Sequence, residues 1–292
     1  MLGATKILVT GANGQLGSEL AKLSAQYPNL ELLLTDVGNL DITNRQACID
    51  YINQHKPEYI INCAAYTAVD KAEDDADNAW KINVDAVKNL LEACKPHSIA
   101  FINISTDYVF EGKTYRPYVE TDSVLPESVY GRSKQQGETE VLKYHKSMVV
   151  RTSWLYSTFG NNFVKTMLRL GSERNELNVI FDQVGTPTYA EDLAAALLQI
   201  VNKIALGEKN FVAGIYHYSN EGACSWYDFA HAIMQKAGLS CKLIPIETKD
   251  YPTPAKRPFY TVLNKSKIKQ TFDIEIPHWE NGLQRCIDVL IS

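Results

Sequence analysis

The sequence predicts an α/β fold, a doubly wound parallel sheet with a smaller C-terminal lobe. Three observations carry that prediction. Short apolar runs rich in β-branched residues alternate with helical patterns from Lys6 onward, and such alternation builds parallel sheets covered by helices on both faces. A glycine-rich turn from Gly11 to Gly17 lies between the first strand and the first helix. A tyrosine and a lysine, Tyr130 and Lys134, follow a later strand that ends in Ser105 and Thr106.

Lys6–Thr10 is the first strand, and Leu16, Leu20 and Leu23 give the following helix one apolar face. Between them, Gly11, Asn13, Gly14, Gln15, Leu16 and Gly17 form the turn that a dinucleotide fingerprint requires. Gly11 permits the tight turn, Gly14 a close approach of backbone to pyrophosphate, and Gly17 close helix–strand packing. The helix N-terminus offers free N–H groups to phosphates. The second strand, Leu30–Asp36, ends in an acid where an adenosine ribose is expected. The charge of Asp36 would repel a 2′-phosphate and argues for NADH. Helical spacing runs from Asp41 to His55, with Ile49 and Ile52 inward. Tyr59–Ala65 is the third strand, and small Ala64 and Ala65 at its end, followed by Tyr66, let a ligand lie close. The acidic run Glu73, Asp74, Asp75, Asp77 precedes a helix through Trp80, Val84, Val87 and Leu91. Acids there suit the helix dipole better than they suit a metal site.

Ile99–Ile104 is a buried strand by composition and delivers Ser105, Thr106, Asp107 and Tyr108 to its C-terminal end. Ligands bind there in open α/β sheets. Tyr130 and Lys134 share one face of the next helix. A lysine ammonium beside a phenol favours phenolate and would lower its pKa from ~10, making proton transfer feasible near neutrality. Beyond it, Met148–Tyr156 reads as a strand, Phe163 opens a helix through Met167 and Leu170, and Val179–Thr188 reads as a strand. Glu191–Ile204 is an amphipathic helix, Ile215–Ser219 a strand, and Ser225 caps a helix through Phe229 and Ile233. The segment Tyr251–Pro258 is proline-rich and carries Lys256 and Arg257.

Of the 292 residues, 45% are apolar, ample for a core. The net charge of −5 forms no basic stripe, so nothing calls for nucleic acid or an anionic membrane. No secretory apolar region and no run of ~18 apolar residues is present, which predicts a cytoplasmic chain. The six cysteines are scattered without a Cys-x-x-Cys pair, as reduced thiols would be. The six histidines are isolated, no metal is expected, and no Gly-x-Ser-x-Gly elbow points to a hydrolase.

The glycine spacing, with Thr106, Tyr130 and Lys134, resembles the extended short-chain dehydrogenase/reductases. Longer stretches resemble one branch of them, the dTDP-4-dehydrorhamnose reductase family: Asn62–Glu73, Ser105–Phe110, Arg151–Trp154, Gly160–Phe163, Asp182–Thr188 and Tyr251–Pro258. The likeness runs from about Lys6 to the C-terminus. It implies a Rossmann-type domain over 1–154, with a return segment near 179–205, and a mainly substrate-binding lobe over 155–292. It implies reduction of the C4 ketone of dTDP-4-dehydro-L-rhamnose by NADPH, and often NADH. Tyr130 would donate the proton, Lys134 would hold the cofactor ribose, and Thr106 would orient the carbonyl. Asp41 and Ile42 resemble the family's adenine-side pair, and Ala64 and Ala65 lie under the cofactor. Val69, Tyr108 and Trp154 resemble its sugar contacts, with Asp107 beside them, and Lys256 and Arg257 are candidates for the nucleotide end. The partner implied is a dTDP-sugar, met by a monomer or homodimer. One departure is Ser128, where the family usually has asparagine two before the tyrosine. Three alternatives remain: a sugar-nucleotide dehydratase, which would need an acid where Tyr108 stands; an epimerase that retains its NAD; and a non-catalytic regulatory subunit of the methionine adenosyltransferase type, which need not retain Thr106, Tyr130 and Lys134 together.

Overall fold

The computed structural model describes residues 4–292. Strand β1 (Thr5–Thr10) turns through the glycine loop into α1 (Gln15–Leu23), and β2 (Leu30–Thr35) returns alongside it. Then follow α2 (Arg45–His55), β3 (Tyr59–Asn62), α3 (Ala76–Trp80), α4 (Ala86–Cys94), β4 (Ala100–Thr106), α5 (Val129–Leu142) and β5 (Ser147–Thr152). The later elements are β6 (Leu155–Tyr156), α6 (Phe163–Glu173), β7 (Glu176–Ile180), β8 (Val184–Gly185), β9 (Thr188–Tyr189), α7 (Ala190–Ala205) and β10 (Gly214–His217). The chain ends with β11 (Cys224–Ser225), α8 (Trp226–Ala237), β12 (Lys242–Ile246), α9 (Ser266–Phe272) and α10 (Trp279–Ile291).

The main sheet has six parallel strands in the order β10-β5-β4-β3-β1-β2. The order reverses between β1 and β3, and that switch point opens a crevice at the strands' C-terminal ends. Side-chain alternation builds a core on each face. Ile7 and Val9 join Leu20, Ile61, Ile102, Val150 and Leu197 on one side. Leu8 joins Ile60, Phe101, Leu90 and Val141 on the other. Full burial of each such side chain contributes about 1.5–3 kcal/mol. A third cluster, around Phe229, Ile233, Trp279 and Leu283, belongs to the C-terminal elements. There β7 pairs with β12, β8 with β11 and β6 with β9, all outside the main sheet.

Several elements depart from the sequence reading. Helix α2 starts at Arg45 rather than Asp41, because Asp41 folds back onto the Thr43 N–H and hydroxyl and Asn44 caps the helix. The long helix through Trp80 and Leu91 is two α-segments joined by a wide turn over Lys81–Asp85. The strand read as Met148–Tyr156 breaks at Trp154, whose φ of 46° is left-handed and cannot continue a strand. The stretch read as Val179–Thr188 is three short strands. The chain returns to the main sheet through α7, packed on α1, and through β10.

Candidate active site

A cleft of about 770 Å³ lies at the C-terminal ends of β1, β3 and β4. Its first wall is backbone. Gly11 has φ of 66°, and a Cβ there would lie 2.8 Å from the Ala64 backbone. At Gly17 a Cβ would lie 2.4 Å from the Gly11 carbonyl. Helix α1 starts after Gly14, with no side-chain cap and no acid in its first turn. Its N–H groups therefore face the cleft uncommitted to side chains, as a phosphate requires. Gly11, Gly14, Gln15, Leu16 and Gly17 line this end; Asp36, Asp41 and Ile42 continue it, and Ala64 and Ala65 close it from β3. A donor set of free helix N–H groups with an adjacent carboxylate fits a dinucleotide.

The carboxylate of Asp36 is held at the cleft edge. Its Oδ2 accepts from the Asn13 N–H at 3.0 Å and its Oδ1 from the Val37 N–H at 2.8 Å. Asn13 thus serves the loop through its backbone and is not among the lining residues. Tyr66 also departs from expectation. Its hydroxyl donates to Asp75 at 2.9 Å and its N–H to Asn83 at 2.9 Å, which turns the ring away from the lining.

Thr106, Tyr130 and Lys134 converge at the other end, where all three are buried and line the cleft. Helix α5 is placed by its N-terminus. The Ser128 hydroxyl accepts from the Gly131 N–H at 3.1 Å, and Glu73 accepts from the Val129 N–H at 2.8 Å. Ser128 is therefore a helix cap, and Glu73 from the acidic run is a second one. Gly131 allows close approach, since a Cβ there would lie 2.4 Å from the Tyr108 carbonyl. Lower on the same face, Glu138 accepts from Ser105 Oγ at 2.5 Å and from Arg151 Nε at 2.9 Å and Nη2 at 2.6 Å. One buried carboxylate thus ties β4, β5 and α5 together beneath the site.

The electrostatics correct the sequence reading of the phenol. Burial pushes Tyr130 up to about 12, with Asp107 acting the same way and the Thr106 hydroxyl against it. Lys134 does not depress it. Its ammonium donates to the Ile104 carbonyl at 2.7 Å, and burial lowers its own pKa to about 8, against the pull of Glu138. At neutral pH the phenol keeps its proton, the form a proton donor needs.

Val69, Asp107, Tyr108 and Trp154 also line the cleft. Trp154 stacks on Trp226, centroids 3.6 Å apart and planes 7° apart, and Gly185 leaves room for the indole. Trp226 lines the cleft too and escaped the sequence reading. The sole signal was its place directly after the capping Ser225, at a helix start. Lys256 and Arg257 do not line the cleft. Lys256 pairs with Glu127 at 2.6 Å, and Arg257 forks onto Asp70 at 2.9 and 2.6 Å. Both charges are paired with carboxylates. Arg45, the nearest arginine after Asp36, pairs with Glu92.

The parallel sheet with its switch-point cleft, glycine loop and Thr–Tyr–Lys cluster defines an oxidoreductase of the extended short-chain dehydrogenase/reductase class. The family model of the RmlD substrate binding domain matches residues 5–292. A dTDP-4-dehydrorhamnose reductase of Aggregatibacter actinomycetemcomitans is 46% identical over 286 residues, covering 96% of this chain and 97% of that protein. A solved dTDP-4-dehydrorhamnose reductase from Clostridium acetobutylicum superposes with a TM-score of 0.91 at 44% identity, covering 99% of this chain and 100% of the other. Another, from Bacillus anthracis in complex with NADP, gives 0.91 at 38% identity, covering 98% and 99%. The chain belongs to the dTDP-4-dehydrorhamnose reductase family. Among the described residues, no helix is long and apolar enough to cross a membrane, and no His, Cys, Asp or Glu cluster has metal-site geometry.

Proposed function

We propose that this chain reduces the C4 ketone of dTDP-4-dehydro-L-rhamnose to dTDP-L-rhamnose, using NADPH or NADH. The observation that carries the reading is the convergence of Thr106, Tyr130 and Lys134 at one end of a cleft whose other end is the glycine loop. Family membership supplies the substrate class. Reduced nicotinamide, when bound, supplies the hydride to the carbonyl carbon. The phenol of Tyr130 holds the proton that the nascent alkoxide takes. Thr106 Oγ1 donates to the carbonyl oxygen and orients it. Lys134 holds the cofactor ribose and keeps a positive charge near the phenol as the oxyanion forms. Gly11, Gly14, Gln15, Leu16 and Gly17 receive the pyrophosphate, with Asp36 at the adenosine ribose and Asp41 and Ile42 at the adenine. Ala64 and Ala65 floor the site, and Val69, Tyr108 and Trp154 hold the sugar.

Residues 1–154 form the dinucleotide-binding part in this reading, and most of 155–292 forms the substrate lobe. The separate apolar cluster around Phe229 supports that division. The enzyme works in the cytoplasm as a monomer or homodimer without nucleic acid, a reading supported by the scattered cysteines and the acidic net charge.

Loss of reduced-nicotinamide absorbance on mixing with dTDP-4-dehydro-L-rhamnose tests the proposal, with dTDP-L-rhamnose as the expected product. A dehydratase or epimerase would convert its substrate without net cofactor oxidation, and a regulatory subunit would do nothing. Either result overturns the reading.

A further inference from the structure

One carboxyl in the cleft has no part in the mechanism above. Asp107 is 2% exposed and lines the cleft, and its Oδ2 makes no hydrogen bond. An unpaired buried oxygen is costly, and far more so on a carboxylate than on a neutral acid. Its other oxygen, Oδ1, lies 3.1 Å from Thr106 Oγ1. Thr106 Oγ1 also accepts from the Tyr108 N–H at 3.2 Å.

A threonine hydroxyl has one proton to give and two lone pairs. Facing a carboxylate, Thr106 donates to it, because that bond is charge-assisted. It then has no proton left for a substrate oxygen. Facing a neutral acid, the direction reverses: the acid donates to Oγ1, the Tyr108 N–H fills the second lone pair, and the hydroxyl proton is turned into the cleft, where the Tyr130 oxygen and the substrate carbonyl are the acceptors it meets. We propose that Asp107 is a positioning residue which, as the neutral acid, donates to Thr106 and so directs the single Thr106 proton at the substrate carbonyl. The inference rests on the reading that Thr106 contacts that oxygen.

The surroundings of Asp107 favour the neutral form. Tyr108 on its own turn and Tyr130 on α5 are the titratable groups that face it, and both are phenols. From the C-terminal segment, Thr261 brings only a hydroxyl, and the charged Arg257 acts on Tyr108. Burial outweighs the opposing pull of the Thr261 and Thr106 hydroxyls and the nearby backbone N–H groups, and raises Asp107 to about 6. A pKa raised in this way means that the working form is present at low pH and is lost as pH rises through that value.

The test is the pH dependence of kcat at saturating cofactor and sugar nucleotide. Wild type is expected to fall about tenfold or more between about pH 5.5 and about pH 7.5, below the separate loss belonging to Lys134, because one oxyanion donor is worth roughly 10²–10³-fold. Asp107→Asn, whose amide always donates, should keep most of the low-pH rate and vary less than about threefold over that range. Thr106→Val, nearly isosteric, should be slow and equally flat, and serves if the asparagine variant does not fold. A limb in either variant as steep as in wild type overturns the inference, as does an Asp107→Asn protein that folds and binds cofactor yet is inactive at every pH. Absence of turnover in wild type, or a Thr106→Val variant as fast as wild type, instead overturns the reading beneath it.

Discussion

The two ends of the cleft are built by different means. At the dinucleotide end the backbone does the work: three glycines, an uncapped helix N-terminus and small residues at the end of β3 leave space and N–H groups. At the end proposed for the sugar, side chains from distant segments meet: Val69, Tyr108, Trp154 and Trp226 are brought together by four separate parts of the chain. A backbone-built site is fixed once β1 and α1 form. A side-chain-built site exists only when the C-terminal elements have docked. Substitutions at the first end should therefore alter cofactor affinity alone, and those at the second sugar affinity alone.

The largest effect is expected where the two ends meet. Tyr130→Phe keeps the ring and removes the proton, so kcat should fall roughly 10²–10⁴-fold. Cofactor titration of the variant should stay near wild type, and a marked loss there would place the phenol at the dinucleotide end. Next is Gly17→Ala. Its Cβ would meet backbone atoms at 2.4 and 2.5 Å, which cannot swing aside. Overpacking of about 1–3 kcal/mol should weaken the cofactor Kd by roughly five- to hundredfold, with KM for the sugar nucleotide unmoved at saturating cofactor. Trp226→Ala should do the converse. Losing a stack worth about 0.5–1.5 kcal/mol should raise the sugar-nucleotide KM roughly threefold to tenfold. A matching loss of cofactor affinity would erase the distinction between the ends. The smallest effect concerns cofactor choice. With Asp36 tied to the Asn13 and Val37 N–H groups and Arg45, the nearest arginine after it, paired with Glu92, kcat/KM for NADH and NADPH should agree within about tenfold, or about 1.4 kcal/mol. Asp36→Ala should move the ratio toward NADPH, as steady-state rates with each cofactor will reveal.

The same difference explains what could be read from the sequence. Gly11, Gly14 and Gly17 lie within one turn of chain, so their spacing carries their geometry. Thr106 was legible from its place at a strand end, and Tyr130 with Lys134 from the helical repeat. That Tyr66, Lys256 and Arg257 lie outside the lining was not legible, because their partners, Asp75, Glu127 and Asp70, are set by tertiary packing. The capping of α5 by Glu73 was hidden in the same way, across 56 positions. The pKa of Tyr130 was misjudged because spacing reveals the neighbouring ammonium but not the burial that outweighs it. At Trp154 a break in backbone sign, invisible in an apolar run, divides one expected strand into two.

The buried Glu138–Arg151 fork bears on how the molecule comes apart. Opening β5 or α5 alone would strand a charge in the interior, and breaking such a pair costs about 3–5 kcal/mol; opening β4 would also take the Ser105 hydroxyl from Glu138. Partial opening there is suppressed, so the amides of Ala100–Thr106 and Ser147–Thr152 should exchange with solvent only when the whole molecule unfolds. The elements that carry Thr106, Tyr130 and Lys134 would then be among the last to loosen, leaving the C-terminal elements to breathe around a centre that does not.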